Sequence, residues 1–111
     1  AGRSHELVGL LPARAVLRGK RVTLSYAEVK ARRDGPLLTA GDRARGHEFH
    51  WSNLETSIPP ESAAYELEDG RLEGFRRGNL LASYVHLHFA SNPIVAPSFV
   101  AACAGRKVAL C

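Results

Sequence analysis

The sequence predicts a strand-rich α/β fold that ends in a helix. Three observations carry this: alternating segments at residues 21–26 and 80–90, an Asp69-Gly70 turn between apolar runs, and an Asn92-Pro93 helix start. At 111 residues the chain suits one small domain with a modest core. Its 45% hydrophobic and 23% charged content argues against disorder, collagen, coiled coil or a disulfide scaffold. No run approaches the roughly 20 apolar residues of a membrane span. No apolar core follows the opening residues as in a signal peptide. A membrane partner is therefore not expected.

The elements follow in order. Leu7-Val8-Gly9-Leu10-Leu11-Pro12 reads as a helix tail or a short buried strand stopped by proline. Val22, Leu24 and Tyr26 share one side of a strand, and the parity shifts at Ala27, Val29 and Ala31. That shift predicts a bulge or a strand covered on both faces. Asp34-Gly35-Pro36 and Gly41-Asp42 are turns, and residues 44–52 are extended. Ser57-Ile58-Pro59-Pro60 is a loop. A two-residue type I′ turn at Asp69-Gly70 sets Leu67 opposite Leu72, Glu68 opposite Arg71 and Glu66 opposite Glu73. In residues 80–90, Leu81, Val85, Leu87 and Phe89 take one face, and Tyr84, His86 and His88 the other. Asn92 caps a helix whose regular part starts near Ala96, carries Phe99, Val100 and Cys103, and stops at Gly105.

The net charge of +4 invites a nucleic-acid reading. The early basic residues Arg14, Arg18, Lys20, Arg21, Lys30, Arg32 and Arg33 share no helical face and no aromatic alternation. A solvated basic surface is the better reading, with anionic small molecules second. Cys103 and Cys111 lie close together without a CxxC motif, so a reducing cytoplasm is the simplest compartment. A phosphate-binding loop ahead of Gly19-Lys20 would need glycine where Arg14 stands. No serine or cysteine sits in a nucleophile elbow, and Cys103 reads as helix core.

Histidine is the informative type. His47 and His50 bracket Glu48, and His86 and His88 form a second cluster. On a strand, His86 and His88 project from one face about 7 Å apart. Such a pair suits acid–base chemistry near neutral pH or a metal ion. His47 and His50 differ in parity, so a flat strand cannot aim both at one ion. The residues thus offer candidate bases and no nucleophile. A buried Glu48 needs a partner, which Arg45 or a histidine could supply.

Two segments resemble cobyrinic acid a,c-diamide synthases. Arg45-Gly46-His47-Glu48-Phe49-His50-Trp51-Ser52 is similar to their RGHEFHYS segment, with Trp for Tyr. Residues 81–93 are similar to their ASYVHLHFA-x-NP segment. Residues 7–12 and 24–29 fit weaker flanking patterns, the second departing at Ser25. The resemblance implies that residues 1–111 are the C-terminal portion of a class I glutamine amidotransferase domain. That domain is a three-layer α/β sandwich, here represented by a strand-rich fragment with a mixed sheet. The family joins an ATP-binding part, which activates corrin side-chain carboxylates, to a glutaminase part that supplies ammonia.

By this resemblance His86 partners a nucleophilic cysteine that these residues do not contain. His88 stands where many relatives of the fold carry an orienting glutamate, and it either orients His86 or faces substrate. His47, Glu48 and His50 are assigned a structural or domain-coupling role. The chain itself is expected to hold no cofactor and no metal, with ATP and Mg belonging to the remaining part. Glutamine and a corrin precursor are the implied small-molecule partners. A companion segment or chain with the nucleophile is implied too, as is exposed apolar surface that a homodimer could cover. The alternative reading is a non-catalytic module of the same fold that binds a tetrapyrrole, or a metal through His86 and His88. Amidation of a nickel tetrapyrrole is a third.

Overall fold

The structure, a computed structural model, describes residues 2–17, 19, 21–55 and 58–110, with side chains through residue 105. Cys111, the basic residues Arg18 and Lys20, and Ser57 of the loop before Pro59 lie outside the described residues.

The strands are β1 (Ala15–Leu17), β2 (Thr23–Ala31), β3 (Arg43–His50), β4 (Ser52–Leu54), β5 (Ala63–Leu67), β6 (Leu72–Arg77), β7 (Leu80–Ala82) and β8 (Val85–Leu87). The helix α1 is Val95–Leu110. β1 and β4 form a small ribbon, and the other six strands form one sheet in the order β7-β6-β5-β2-β3-β8. Among the described residues every pairing is antiparallel. This corrects the expected mixed sheet. Parallel neighbours need a crossover of a dozen or more residues, usually an α-helix, and the links between these paired strands carry no α-helix.

β7 and β8 occupy opposite edges of the sheet, yet only Ser83 and Tyr84 separate them in the chain. A flat sheet of this width would hold its edges roughly 24 Å apart. The three chain steps from Ala82 to Val85 reach at most about 11 Å. The sheet must therefore curl until its edges approach. Residues 80–90, expected as one strand, are split for this reason. Glu73 fixes the corner: its carboxylate accepts from the Ser83 hydroxyl and, at 3.0 Å, from the Tyr84 N–H. Ser83 Oγ in turn accepts from the Val85 N–H at 3.0 Å.

The core lies inside the curl and contains Val29, Ala31, Leu38, Ala44, Ala64, Tyr65, Leu67, Val85 and Val95. β2 pairs with β3 without interruption from Thr23↔His50 to Lys30↔Arg43, so the expected bulge is absent. The parity shift has another origin. Val29 and Ala31 face the core, whereas Leu24 (66% exposed) and Tyr26 (96%) face outward. The apolar run at residues 7–12 forms no regular element; Leu7, Val8 and Leu10 are exposed.

The Asp69-Gly70 hairpin is also shifted by one residue. Glu66 opposes Leu72, and Tyr65 opposes Glu73. Gly70 N–H donates to Leu67 O, and Leu67 N–H donates to Arg71 O, both at 2.9 Å. Within the loop, residues 68–70, only Gly70 has positive φ (+86°), since no non-glycine residue among those described does. This is a three-residue loop, a type I turn closed by a left-handed glycine, rather than type I′. The shift removes the expected opposition of Glu66 and Glu73. It also puts Glu73 on the side from which it reaches the β7–β8 corner.

Asn92 starts the helix as expected, by an indirect route: its Oδ1 accepts from Ile94 N–H at 3.0 Å and its O from Val95 N–H at 3.1 Å. α1 passes through Gly105 instead of ending there. One glycine costs a helix only about 1 kcal/mol, and no proline follows.

Two predictions follow from the corner and its neighbour. Glu73→Ala should lower stability by about 1–3 kcal/mol, read from the denaturant midpoint, because Ser83 and Tyr84 lose a charged acceptor. Burial, with the charge of Glu73 adding to it, pushes the Tyr65 phenol up to about 12. A phenol whose folded value lies above its unfolded value near 10 stabilises the fold fully below pH ~10. That contribution disappears as pH rises toward 12. Tyr65→Phe should remove this part of the alkaline unfolding between pH ~10 and ~12, measured by circular dichroism.

Candidate functional site

β3 is the strand that organises the site, because its two faces carry different chemistry. Ala44 and Glu48 are buried on the inner side, with Gly46 and His50 beside them. Arg43, Arg45, His47 and Phe49 are exposed on the outer side. The opposite parities of His47 and His50 therefore hold in the structure.

On the outer face the rows run across three strands. Tyr26 opposes His47, and His47 opposes His86 on β8. The imidazole rings of His47 and His86 lie 4.8 Å apart between centroids, tilted by 50°. Leu24 opposes Phe49, and both are exposed. Glu28 opposes Arg45 and pairs with Arg43 (3.1 Å) and Arg45 (3.3 Å). The Arg43 hydrogen bond, helped by Arg45, holds the Glu28 carboxyl below the usual carboxylate range. A groove of about 430 Å³ beside the histidines is lined by Tyr26, Ala27, Glu28, Arg45, Gly46 and Glu68. The expected exposed apolar surface is thus present, at Leu24, Tyr26 and Phe49, on the face that carries His86.

β8 is held tightly against β3. A Cβ on Gly46 would run into the His86 carbonyl oxygen, so only glycine permits this approach. Beyond β8, His88 N–H donates to Arg45 O at 2.8 Å, Arg45 N–H to Ser91 Oγ at 2.9 Å, and Asn92 Nδ2 to Arg43 O at 2.8 Å.

His88 lies beyond the end of β8. Its Nδ1 accepts the Ala90 N–H at 3.1 Å and caps a short 3₁₀ turn, Phe89–Ser91. The ring that meets His86 is His47, and sequence reasoning did not join those two. Parity placed His47 away from His50, but the β3–β8 register is a long-range fact. Among the described residues no group of three or more His, Cys, Asp or Glu gathers as a metal site. Cys103 is exposed on α1 and lines a different groove, with Pro36, Leu37 and Phe99.

The inner face holds Glu48, 2% exposed. Its partners are Arg71 Nη2 at 3.6 Å and His50 Nε2 at 3.8 Å, not Arg45. Arg45 projects to the other face, which is why it meets Glu28. His50 Nδ1 donates to Ser52 O at 2.6 Å, and its ring stacks on Tyr84 at 3.8 Å. Ser52 Oγ and the Tyr84 hydroxyl lie 2.8 Å apart. Glu48 Oε2 and His50 Nε2 are buried without a hydrogen bond. The cluster joins β3, β4, the hairpin and the β7–β8 corner, as a structural element would. Arg71 and Tyr84 were not singled out from sequence, since both reach the cluster through tertiary contacts.

Residues 1–94 match the model of the CobB/CobQ-like glutamine amidotransferase domain. The chain belongs to that family. Among curated proteins it is 41% identical to the cobyrinate a,c-diamide synthase of Syntrophotalea carbinolica, over 96% of this chain and 25% of that protein. It is 40% identical to the synthase of the same name from Gloeobacter violaceus, over 92% of this chain and 22% of that protein. The corresponding Salmonella typhimurium synthase is 35% identical over 91% of this chain and 23% of that protein. The chain spans about a quarter of the length of these relatives. No solved structure matches it. No helix among the described residues is long and apolar enough to cross a membrane.

Gly46→Ala should force β3 and β8 apart at His86, and a cost of about 1–3 kcal/mol is expected in thermal or denaturant unfolding. Unchanged stability would contradict the close approach.

Proposed function

We propose that this chain is the histidine-bearing portion of the glutaminase part of a glutamine-dependent cobyrinic or hydrogenobyrinic acid a,c-diamide synthase. The observation that carries the reading is the place of His86. It stands on the exposed sheet face that also carries Leu24, Tyr26 and Phe49, and among the described residues its ring takes no hydrogen bond. A base so placed is open to a nucleophile brought by another segment. The named relatives and the family match support the same reading.

In this reading the curled sheet is the C-terminal part of a three-layer α/β sandwich. His86 takes the thiol proton of a cysteine on the companion segment, and the thiolate attacks the side-chain amide carbon of glutamine. The imidazolium then protonates the departing nitrogen, which leaves as ammonia. A thioester remains, and water cleaves it to glutamate and the free thiol. ATP and Mg serve the carboxylate-activating part and are assigned outside this chain. The corrin precursor meets that part too. Leu24, Tyr26 and Phe49 lie against the companion segment or, in the isolated chain, against a second copy. The setting is cytoplasmic.

The reading is tested in two ways. The purified 111-residue chain should release no ammonia from glutamine; release that Cys103→Ser abolishes would overturn the reading. In the complete enzyme, His86→Ala should lower glutaminase turnover by about 10²- to 10⁴-fold while leaving the assembly intact by gel filtration. Retained turnover would reject the role of His86.

A further inference from the structure

Resting on the reading of His86 as the glutaminase base, we infer that His47 is the positioning residue for the His86 imidazole. A general base acts only when its ring nitrogen is aimed, and something must fix the ring. The backbone of β8 is fixed by its pairing with β3 at Gly46↔Leu87, His47↔His86 and Glu48↔Val85. The His86 side chain is not fixed by that pairing, because it projects from the exposed face. Directly opposed residues on antiparallel strands hold their Cβ atoms about 4.5–5.5 Å apart, so side chains there meet broadside. The one ring in contact with His86 among the described residues is His47, at 4.8 Å and a 50° tilt.

Two further observations point the same way. His88, two residues further along the chain, spends its Nδ1 on the Ala90 N–H. Gly46, beside His47, brings the two backbones closer than any side chain would allow. The contact is ring against ring, with no hydrogen bond between the imidazoles. His47 thus acts as a wall that limits the rotation of His86. A flat ring of similar size should replace it, and a methyl group should not.

Three variants of the complete enzyme test this by steady-state glutaminase kinetics. His47→Ala should lower kcat about 10- to 100-fold and leave the KM for glutamine within about twofold. His47→Phe should restore kcat to within about threefold of the parent. In a His86→Ala background, His47→Ala should have no further effect, because the two act as a unit. The inference is overturned if His47→Ala leaves kcat unchanged or acts on KM alone. It is also overturned if His47→Phe is as impaired as His47→Ala, or if the double variant loses activity additively. These failures differ from failure of the underlying reading, which would show as full activity in His86→Ala by itself.

Discussion

Everything in this molecule depends on the two-residue link between opposite edges of its sheet. Ser83 and Tyr84 connect β7 to β8, so the sheet has to curl, and the curl creates both an enclosed core and an open outer face. Glu73 holds that link through its carboxylate. The same link sends β8 to the far side of β3. His86 thereby lies beside a strand from the first half of the chain rather than beside its sequence neighbours.

The two faces of β3 then divide structure from chemistry. Inside, Glu48, His50, Arg71 and Tyr84 tie the hairpin, the ribbon and the corner together around one buried carboxylate. Such a cluster is costly to leave incomplete and weak as a source of net stability, so its value lies in fixing one arrangement. Outside, His47 and His86 stand next to a groove and an apolar patch, with Glu28 and two arginines close by. Strand alternation alone produces this division, since adjacent residues of the motif at 45–52 must point opposite ways.

Much of the fold was legible in the sequence. The first alternating segment, the turn at Asp69-Gly70 and the start of the helix near Asn92 formed where local pattern placed them, whereas residues 80–90 broke into β7, β8 and a 3₁₀ turn. What local pattern could not supply was register and edge. The hairpin slipped by one residue because a left-handed Gly70 alone closes a three-residue loop. The apparent bulge in β2 was an exposed stripe, Leu24 and Tyr26, that alternation cannot distinguish from a core stripe. Of the candidate site residues, the sequence separated His47 from His50 correctly. It paired His86 with His88, because spacing along one strand is visible, and missed His47, because pairing between strands is not. Of the partners expected for Glu48, Arg45 or a histidine, His50 lies 3.8 Å away and Arg45 projects from the opposite face.

The central claim is that the curl sets His86 against His47. Ring-to-ring nuclear Overhauser effects, recorded with the histidines of the chain assigned, measure it most directly. The 4.8 Å separation of the centroids predicts a cross-peak between the His47 and His86 rings. A cross-peak from His86 to His88, with none to His47, would contradict it.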